Sequence, residues 1–314
     1  MKLETAPLQQ AMAVAVRMLD RNTVIPEHGL VKIDFETDFT RLSTTNLDRS
    51  FSTKIKVFNA ETGSVLIDAQ RFNTFIQRVE DEFVEFVIKE REVVIKRKKG
   101  NASFILSNGN FPVIPVAPDN EPTIITGKAL KEMFGAVLCG MQEDKFATKP
   151  WMNIADFTVT DNHFQCLSSD EKRIVIVEGE CESPNTNIQF PISAIRLLVS
   201  VLDDDKVKII PSEKHLFVES DHLFSFRTIS TQFPNMSGVL AWDTVEAFRV
   251  ETKDLRNSLE LVKSLTDPRL QSVRWTLGDD VMFSAQSSGI GNIEESLGVK
   301  PSMQLSTGYN INWL

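Results

Sequence analysis

The chain has 314 residues, 42% of them hydrophobic and 25% charged, which is enough for two or three ordinary globular domains. A net charge of −9 and a pI near 5.1 exclude a protein that coats nucleic acid by bulk positive charge. No apolar run approaches the roughly 20 residues of a membrane span, and the N-terminus lacks the apolar core of a signal peptide. Cys139, Cys166 and Cys181 have no metal-like spacing, so a reduced, cytoplasmic interior is expected.

Residues 8–19 read as a helix, with Leu8, Met12, Val16 and Leu19 forming its apolar stripe. A loop over 21–29 leads to strand-like runs at 30–35, 41–45 and 50–57. A second unit has a strand at 65–67, a helix over 69–79 with Phe72, Phe75, Ile76 and Val79 on one face, and strands at 83–88, 93–97 and 103–106. The stretch 109–122 carries four prolines and reads as a linker. A third unit has a strand at 123–126, a helix over 128–139, a polar loop through Lys149 and Pro150, and strands near 153–158, 164–167 and 173–177.

The fourth unit is the clearest. Ile188 and Phe190 sit in a short strand, and Pro191 and Ser193 introduce a helix striped by Ile195, Leu197, Leu198, Val201 and Leu202. Asp203-Asp204-Asp205 ends it. Strands at 207–210, 216–218 and 223–226 follow, separated by turn chemistry at 211–213 and 219–221. A boundary falls at Phe233-Pro234-Asn235. The fifth unit has a strand at 247–250, a helix over 253–265 and strands near 273–277, 281–285 and 292–297; a sixth begins with a strand at 303–306. The helix starts at 8, 69, 128, 192 and 253 lie 61, 59, 64 and 61 residues apart, the mark of an internally repeated architecture. One helix and about four strands per unit favour two units per domain, with helices together and sheets outside.

Five strings stand in this framework: Gly63-Ser-Val-Leu-Ile-Asp-Ala69; Ser103-Phe-Ile-Leu106 followed by Phe111-Pro112; Leu167-Ser-Ser-Asp-Glu-Lys-Arg-Ile174; Gln232-Phe-Pro-Asn-Met-Ser-Gly-Val239; and Gly308-Tyr-Asn-Ile-Asn-Trp-Leu314. In order and spacing they resemble the bacterial DNA polymerase III beta subunit, the beta sliding clamp. The last three are similar to that family's A-T-D-G-H-R-L, F-P-D-Y-R-R-V and G-F-N-x-x-Y-L. Two departures stand out: the Gly-His pair is replaced by Glu171-Lys172, and the paired arginines by Ser237-Gly238. The family's chains also run on for roughly fifty residues, close to one repeat. The resemblance therefore implies an α+β DNA clamp fold of repeated β-α-β-β-β units. Its domains fall at 1–118 and 119–235, with a third, represented by its first half, at 236–314.

The resemblance implies a polymerase processivity factor, a homodimer that encircles duplex DNA as a head-to-tail ring and tethers polymerase, clamp loader and other clamp-binding proteins. Sequence-independent contact with phosphates needs scattered cations facing the hole. Helix placement nominates Arg17, Arg71, Arg78, Lys128, Lys131, Arg196, Lys253 and Arg256; Arg21 and the loop carrying Gln142, Lys145 and Lys149 match family positions near DNA. The family's peptide pocket carries over onto Met152, Ser169, Glu171, Lys172, Arg173, Ile174, Pro234 and Val239. Its subunit contact carries over onto Phe104 and Leu106 on one side, and Leu265, Glu294 and Glu295 on the other. The basic run Lys96-Arg97-Lys98-Lys99 lies just before that first edge and suits acidic residues across an interface. The alternative is a shortened clamp relative that docks partners or clamp subunits without encircling DNA.

A catalytic reading finds no support in the residues. Three consecutive aspartates cannot face one point on a regular element, so Asp203-Asp204-Asp205 with Asp170 does not make a metal site. His28, His163, His215 and His222 have neither metal spacing nor a nucleophile partner. Gly289-Ile290-Gly291 lacks the Lys-Ser/Thr of a phosphate loop. No enzyme activity, cofactor or metal is expected.

Overall fold

A three-residue strand, β1 (Lys2–Glu4), leads directly into α1 (Thr5–Ala15), which buries Leu8, Ala11, Met12 and Ala15 and tightens into a 3-10 turn at Val16–Met18. The computed structural model describes residues 1–20, 26–59, 61–143, 145–228, 231–241 and 245–313, in two compact units, Met1–Phe233 and Pro234–Leu314. In the first unit, β2 (Leu30–Phe35), β3 (Phe39–Thr45) and β4 (Arg49–Phe58) follow α1. Then come β5 (Gly63–Asp68), α2 (Ala69–Ile76), β6 (Phe83–Ile88), β7 (Glu92–Arg97) and β8 (Gly100–Ile105). Beyond the proline-rich stretch lie β9 (Thr123–Thr126), α3 (Gly127–Val137), β10 (Ile154–Thr160), β11 (His163–Ser169) and β12 (Ile174–Glu180). They are followed by β13 (Thr186–Pro191), α4 (Ile192–Val201), β14 (Lys206–Pro211), β15 (His215–Glu219) and β16 (Leu223–Arg227).

Local chemistry explains these elements. In β6, Val84 and Phe86 are buried while Glu85 between them is exposed, the period of two of a half-buried strand. Asp68 caps α2 by accepting the Arg71 N–H at 2.7 Å, and Thr126 caps α3 through Ala129 at 3.2 Å. Gly127 is required where it stands. A Cβ there would sit 1.9 Å from the carbonyl oxygen of Asp203, and the Gly127 N–H donates to the Asp205 carbonyl at 2.7 Å. The aspartate run therefore docks the end of one helix segment onto the start of α3.

The sheets obey one rule. The strand before each helix pairs with the first strand after the other helix: β1 with β6, β5 with β2, β9 with β14 and β13 with β10, all antiparallel. β4 also pairs with β16, placing Phe51 opposite Phe224 with ring centroids 5.6 Å apart, so one 12-stranded sheet runs across the position of the proline-rich linker. Phe72 and Phe86 anchor the core beneath α2, and Phe134, Phe157 and Phe190 the core beneath α3. β8 pairs only with β7, and β12 only with β11, among the described residues.

The second unit holds a short helix, α5 (Ser237–Leu240), then α6 (Thr252–Lys263), β17 (Ser272–Leu277), β18 (Val281–Ser287), β19 (Gly291–Ser296) and β20 (Leu305–Asn310). Its sheet order is β19-β18-β17-β20. The strand expected at 247–250 does not form. By the pairing rule its partner is the first strand after a sixth helix, and residues 1–314 contain none; without a ladder, four residues have no reason to stay extended. The sixth-unit strand is present but shifted to Leu305–Asn310, where it meets β17. The expected loop at 21–29 ends in a 3-10 turn, Pro26–Gly29; its first five residues lie outside the described set.

Candidate nucleic-acid interface and partner pocket

Helices α1 to α4 bury one side against the sheets and expose the other. Their charged residues are Arg71, Lys128, Lys131 and Arg196 against one carboxylate, Glu132, in a chain of net charge −9. Arg71, Arg78, Lys128, Lys253 and Arg256 are exposed and outside any ion pair among the described residues. The others are engaged. Lys131 reaches Asp204 at 2.6 Å, Lys145 and Arg196 share Glu143 at 3.2 and 3.4 Å, and Lys149 pairs with Glu171. The Lys145 hydrogen bond and charge, with help from Arg196, hold the Glu143 carboxyl below its ordinary range. Such exposed pairs are weak, so an incoming phosphate can exchange with the carboxylate. Gln142 is half-buried, its N–H donating to the Met152 carbonyl at 2.8 Å; Arg21 lies outside the described residues.

Arg17, Arg49 and Arg196 line one open cavity of about 350 Å³ together with Ser193 and Ser200. Arg17 donates to the carbonyl and hydroxyl oxygens of Ser200 at 2.9 and 3.2 Å. Arg49 is fixed by the Met18 carbonyl at 2.7 Å and the Asp20 carboxylate at 3.0 Å. Three guanidiniums around one opening suit a phosphate oxygen cluster. Arg49 starts a strand and carries no helix or motif signal in the sequence; only its distant contact with Asp20 reveals it.

A second cluster forms at the turn from β11 to β12. Asp170, with a side chain 1% exposed, organises it. One carboxylate oxygen accepts the backbone N–H groups of Lys172 at 3.1 Å and Arg173 at 2.8 Å. The other receives the Arg173 guanidinium at 3.2 and 2.8 Å. Burial pushes the Asp170 carboxyl up, but these four hydrogen bonds outweigh it and hold the group below the ordinary carboxylate range. Ser169 is buried, Arg173 and Ile174 are half-buried, and Glu171 and Lys172 are exposed. A 3-10 turn (Pro150–Asn153) packs beside β11, placing buried Met152 near the turn; Lys149 bridges to Glu171, and Trp151 meets Phe233 edge to face at 6.0 Å. Pro234 and Val239 belong to the second compact unit, where Val239 is exposed.

The edge strands hold the third set. On β8, Phe104 turns inward and stacks edge to face on Phe72 and Phe75, at 5.5 and 5.4 Å, while its neighbour Ile105 is 84% exposed. Leu106 is half-buried against the core. On β19, Glu294 is exposed, and Glu295 is half-buried, accepting a hydrogen bond from the Ser258 hydroxyl at 3.2 Å; β19 pairs only with β18 among the described residues. Leu265 is half-buried after α6.

A family model, DNA polymerase III beta subunit, N-terminal domain, matches residues 1–116. A beta sliding clamp from Rickettsia felis is 21% identical over 321 residues, covering 98% of this chain and 84% of that protein. The crystal structure of a DNA polymerase sliding clamp from Bacillus subtilis superposes with a TM-score of 0.91 at 17% identity, over 99% of this chain and 87% of that one. This is the beta sliding-clamp fold. A Pseudomonas aeruginosa clamp solved bound to griselimycin has a TM-score of 0.92 at 16% identity, with the same coverage of 99% and 87%.

Within the clamp fold, the departure at Glu171 has a physical reading. Its φ is +70°, the left-handed region that a glycine enters freely, and Glu171 stands where the similar string has Gly. Among the described residues of this clamp chain, no group of three or more His, Cys, Asp or Glu is placed to hold a metal ion. No described helix is long and apolar enough to cross a membrane.

Proposed function

We propose that the chain is a DNA sliding clamp, a non-catalytic processivity factor of the replicating polymerase in the cytoplasm. The observation that carries this reading is the charge of the helix layer: four cations and one carboxylate on α1–α4, in a chain that is otherwise acidic. A ring whose inner, helical face is positive and whose outer sheets are negative holds duplex DNA loosely and without reading bases. The Arg17, Arg49 and Arg196 opening gives that face a concentrated phosphate contact.

Residues 1–118 and 119–235 are then two clamp domains, each built from two repeats, and 236–314 contributes to a third. Subunits join head to tail, the open edge of β8 against β19 of the next copy, with Phe104, Ile105 and Leu106 meeting Leu265 and the run at 96–99 facing Glu294 and Glu295. Open, unpaired edges of opposite charge support this pairing. The Met152 and Asp170–Ile174 cluster supplies one wall of a pocket for short apolar tails of polymerase, clamp loader and repair proteins, with affinity concentrated in a few buried anchors.

The test is retention after loading on nicked circular DNA, compared with the same DNA linearised. A clamp stays on the circle and slides off the linear form. Equal retention on both sinks the topological mechanism.

A further inference from the structure

The first unit pairs its helices, α1 with α2 and α3 with α4, and α6 lacks such a partner. The cost is visible position by position. Counting from each helix start, Leu255 corresponds to Leu8 and Leu130, and Leu259 to Met12 and Phe134. Those four are fully buried, whereas Leu255 and Leu259 are half-buried. α6 buries only Ser258 and Val262, against its own sheet. Beside it lies an open groove of about 340 Å³ floored by Leu255, Leu259 and Ile311 and rimmed by Arg256, Glu260 and Lys263.

We infer that this groove is a second self-association surface, on which α6 of another copy of this chain lies antiparallel about a two-fold axis near Ser258. Two observations select a second copy over an arbitrary helix. Helix pairs in this chain already join two similar units that exchange strands reciprocally, the local equivalent of a two-fold. The groove's charges are also self-complementary: Arg256 and Glu260, one turn apart, exposed and outside any ion pair among the described residues, exchange partners across such an axis. Arg256 of each copy meets Glu260 of the other, and the four leucines close the seam between them. The surface is distinct from the β8 and β19 edges of the head-to-tail contact, so the inference stands or falls independently of the ring.

The test uses the full chain carrying Ile105→Asp, which removes the head-to-tail contact, followed by sedimentation and light scattering at micromolar concentrations. Arg256→Glu or Glu260→Arg alone sets two like-charged pairs across the axis and weakens dimerisation by about tenfold or more. The double variant, and an equimolar mixture of the two single variants, restore it to within about threefold of the parent. Circular dichroism confirms that these exposed substitutions leave the fold intact. A monomeric parent, single variants that dimerise unchanged, or a mixture that fails to recover each overturns the inference.

Discussion

Replacing Asp170 with alanine removes two backbone hydrogen bonds and both guanidinium contacts at the turn between β11 and β12. Breaking a fully buried pair costs about 3–5 kcal/mol; Arg173 is 28% exposed and recovers some hydration, so the lower end, about 3 kcal/mol, applies. Asp170→Asn keeps an acceptor for the backbone but loses the charge, and should cost about 2 kcal/mol. Denaturant unfolding measures both as a lower midpoint at unchanged slope, and the alanine variant melts roughly 6–12 °C lower. The pH dependence follows from the depressed carboxyl. A group whose folded pKa lies below its unfolded value, about 3.9 for Asp, contributes stability that is complete above that value and is lost as pH falls toward the folded one. The asparagine deficit should therefore shrink below about pH 4. An alanine cost under about 1 kcal/mol, or an asparagine deficit that is the same at neutral and acid pH, refutes Asp170 as the organiser of the turn.

The neighbouring Glu171→Gly relieves the left-handed φ of +70° and loses only an exposed pairing with Lys149, so it should stabilise the chain by about 0.5–1 kcal/mol in the same unfolding assay. Arg49→Ala should weaken DNA binding across all sequences and reduce the steepness of its salt dependence by about one unit, read from binding isotherms at several salt concentrations; an unchanged slope removes Arg49 from the interface. Burial raises the thiols of Cys166 and Cys181, while Cys139 is exposed, so a thiol reagent should modify Cys139 first and reach the other two only on unfolding. Ile105→Asp should abolish head-to-tail association without lowering stability measurably, because its side chain is solvated, whereas Phe104→Ala should also destabilise by about 2–3 kcal/mol through lost ring packing; equal stability effects contradict the inward setting of Phe104.

The repeat was legible because burying one helix face per unit forces apolar periodicity. The observed helix starts at 5, 69, 127, 192 and 252 are within three residues of those expected. β1 was not, since three residues, Lys2, Leu3 and Glu4, are too few to show alternation. The strand expected at 247–250 had the right local composition, but strand formation depends on a partner elsewhere, which composition does not report. The same limit applies to the site. Cations on helix faces could be nominated from periodicity, but their engagement by Glu143, Glu171 and Asp204 is a tertiary matter. Asp170 and Arg49 matter through contacts made on folding, Asp170 by its burial and its hold on Arg173, Arg49 by its grip on Asp20.

The reciprocal strand exchange has a consequence for how the chain assembles. In a solenoid each repeat closes its own hydrogen bonds and stability grows almost additively, so folding can begin at any repeat and spread. Here no repeat in the first unit completes its own sheet: β5 is held by β2, and β13 by β10, across a whole intervening helix and turn. Neither member of a pair can become native before the other arrives. The cooperative element of folding is thus the pair, the entropy of closing a loop of some tens of residues must be met before any ladder rewards it, and folding of each pair should be slow for its size.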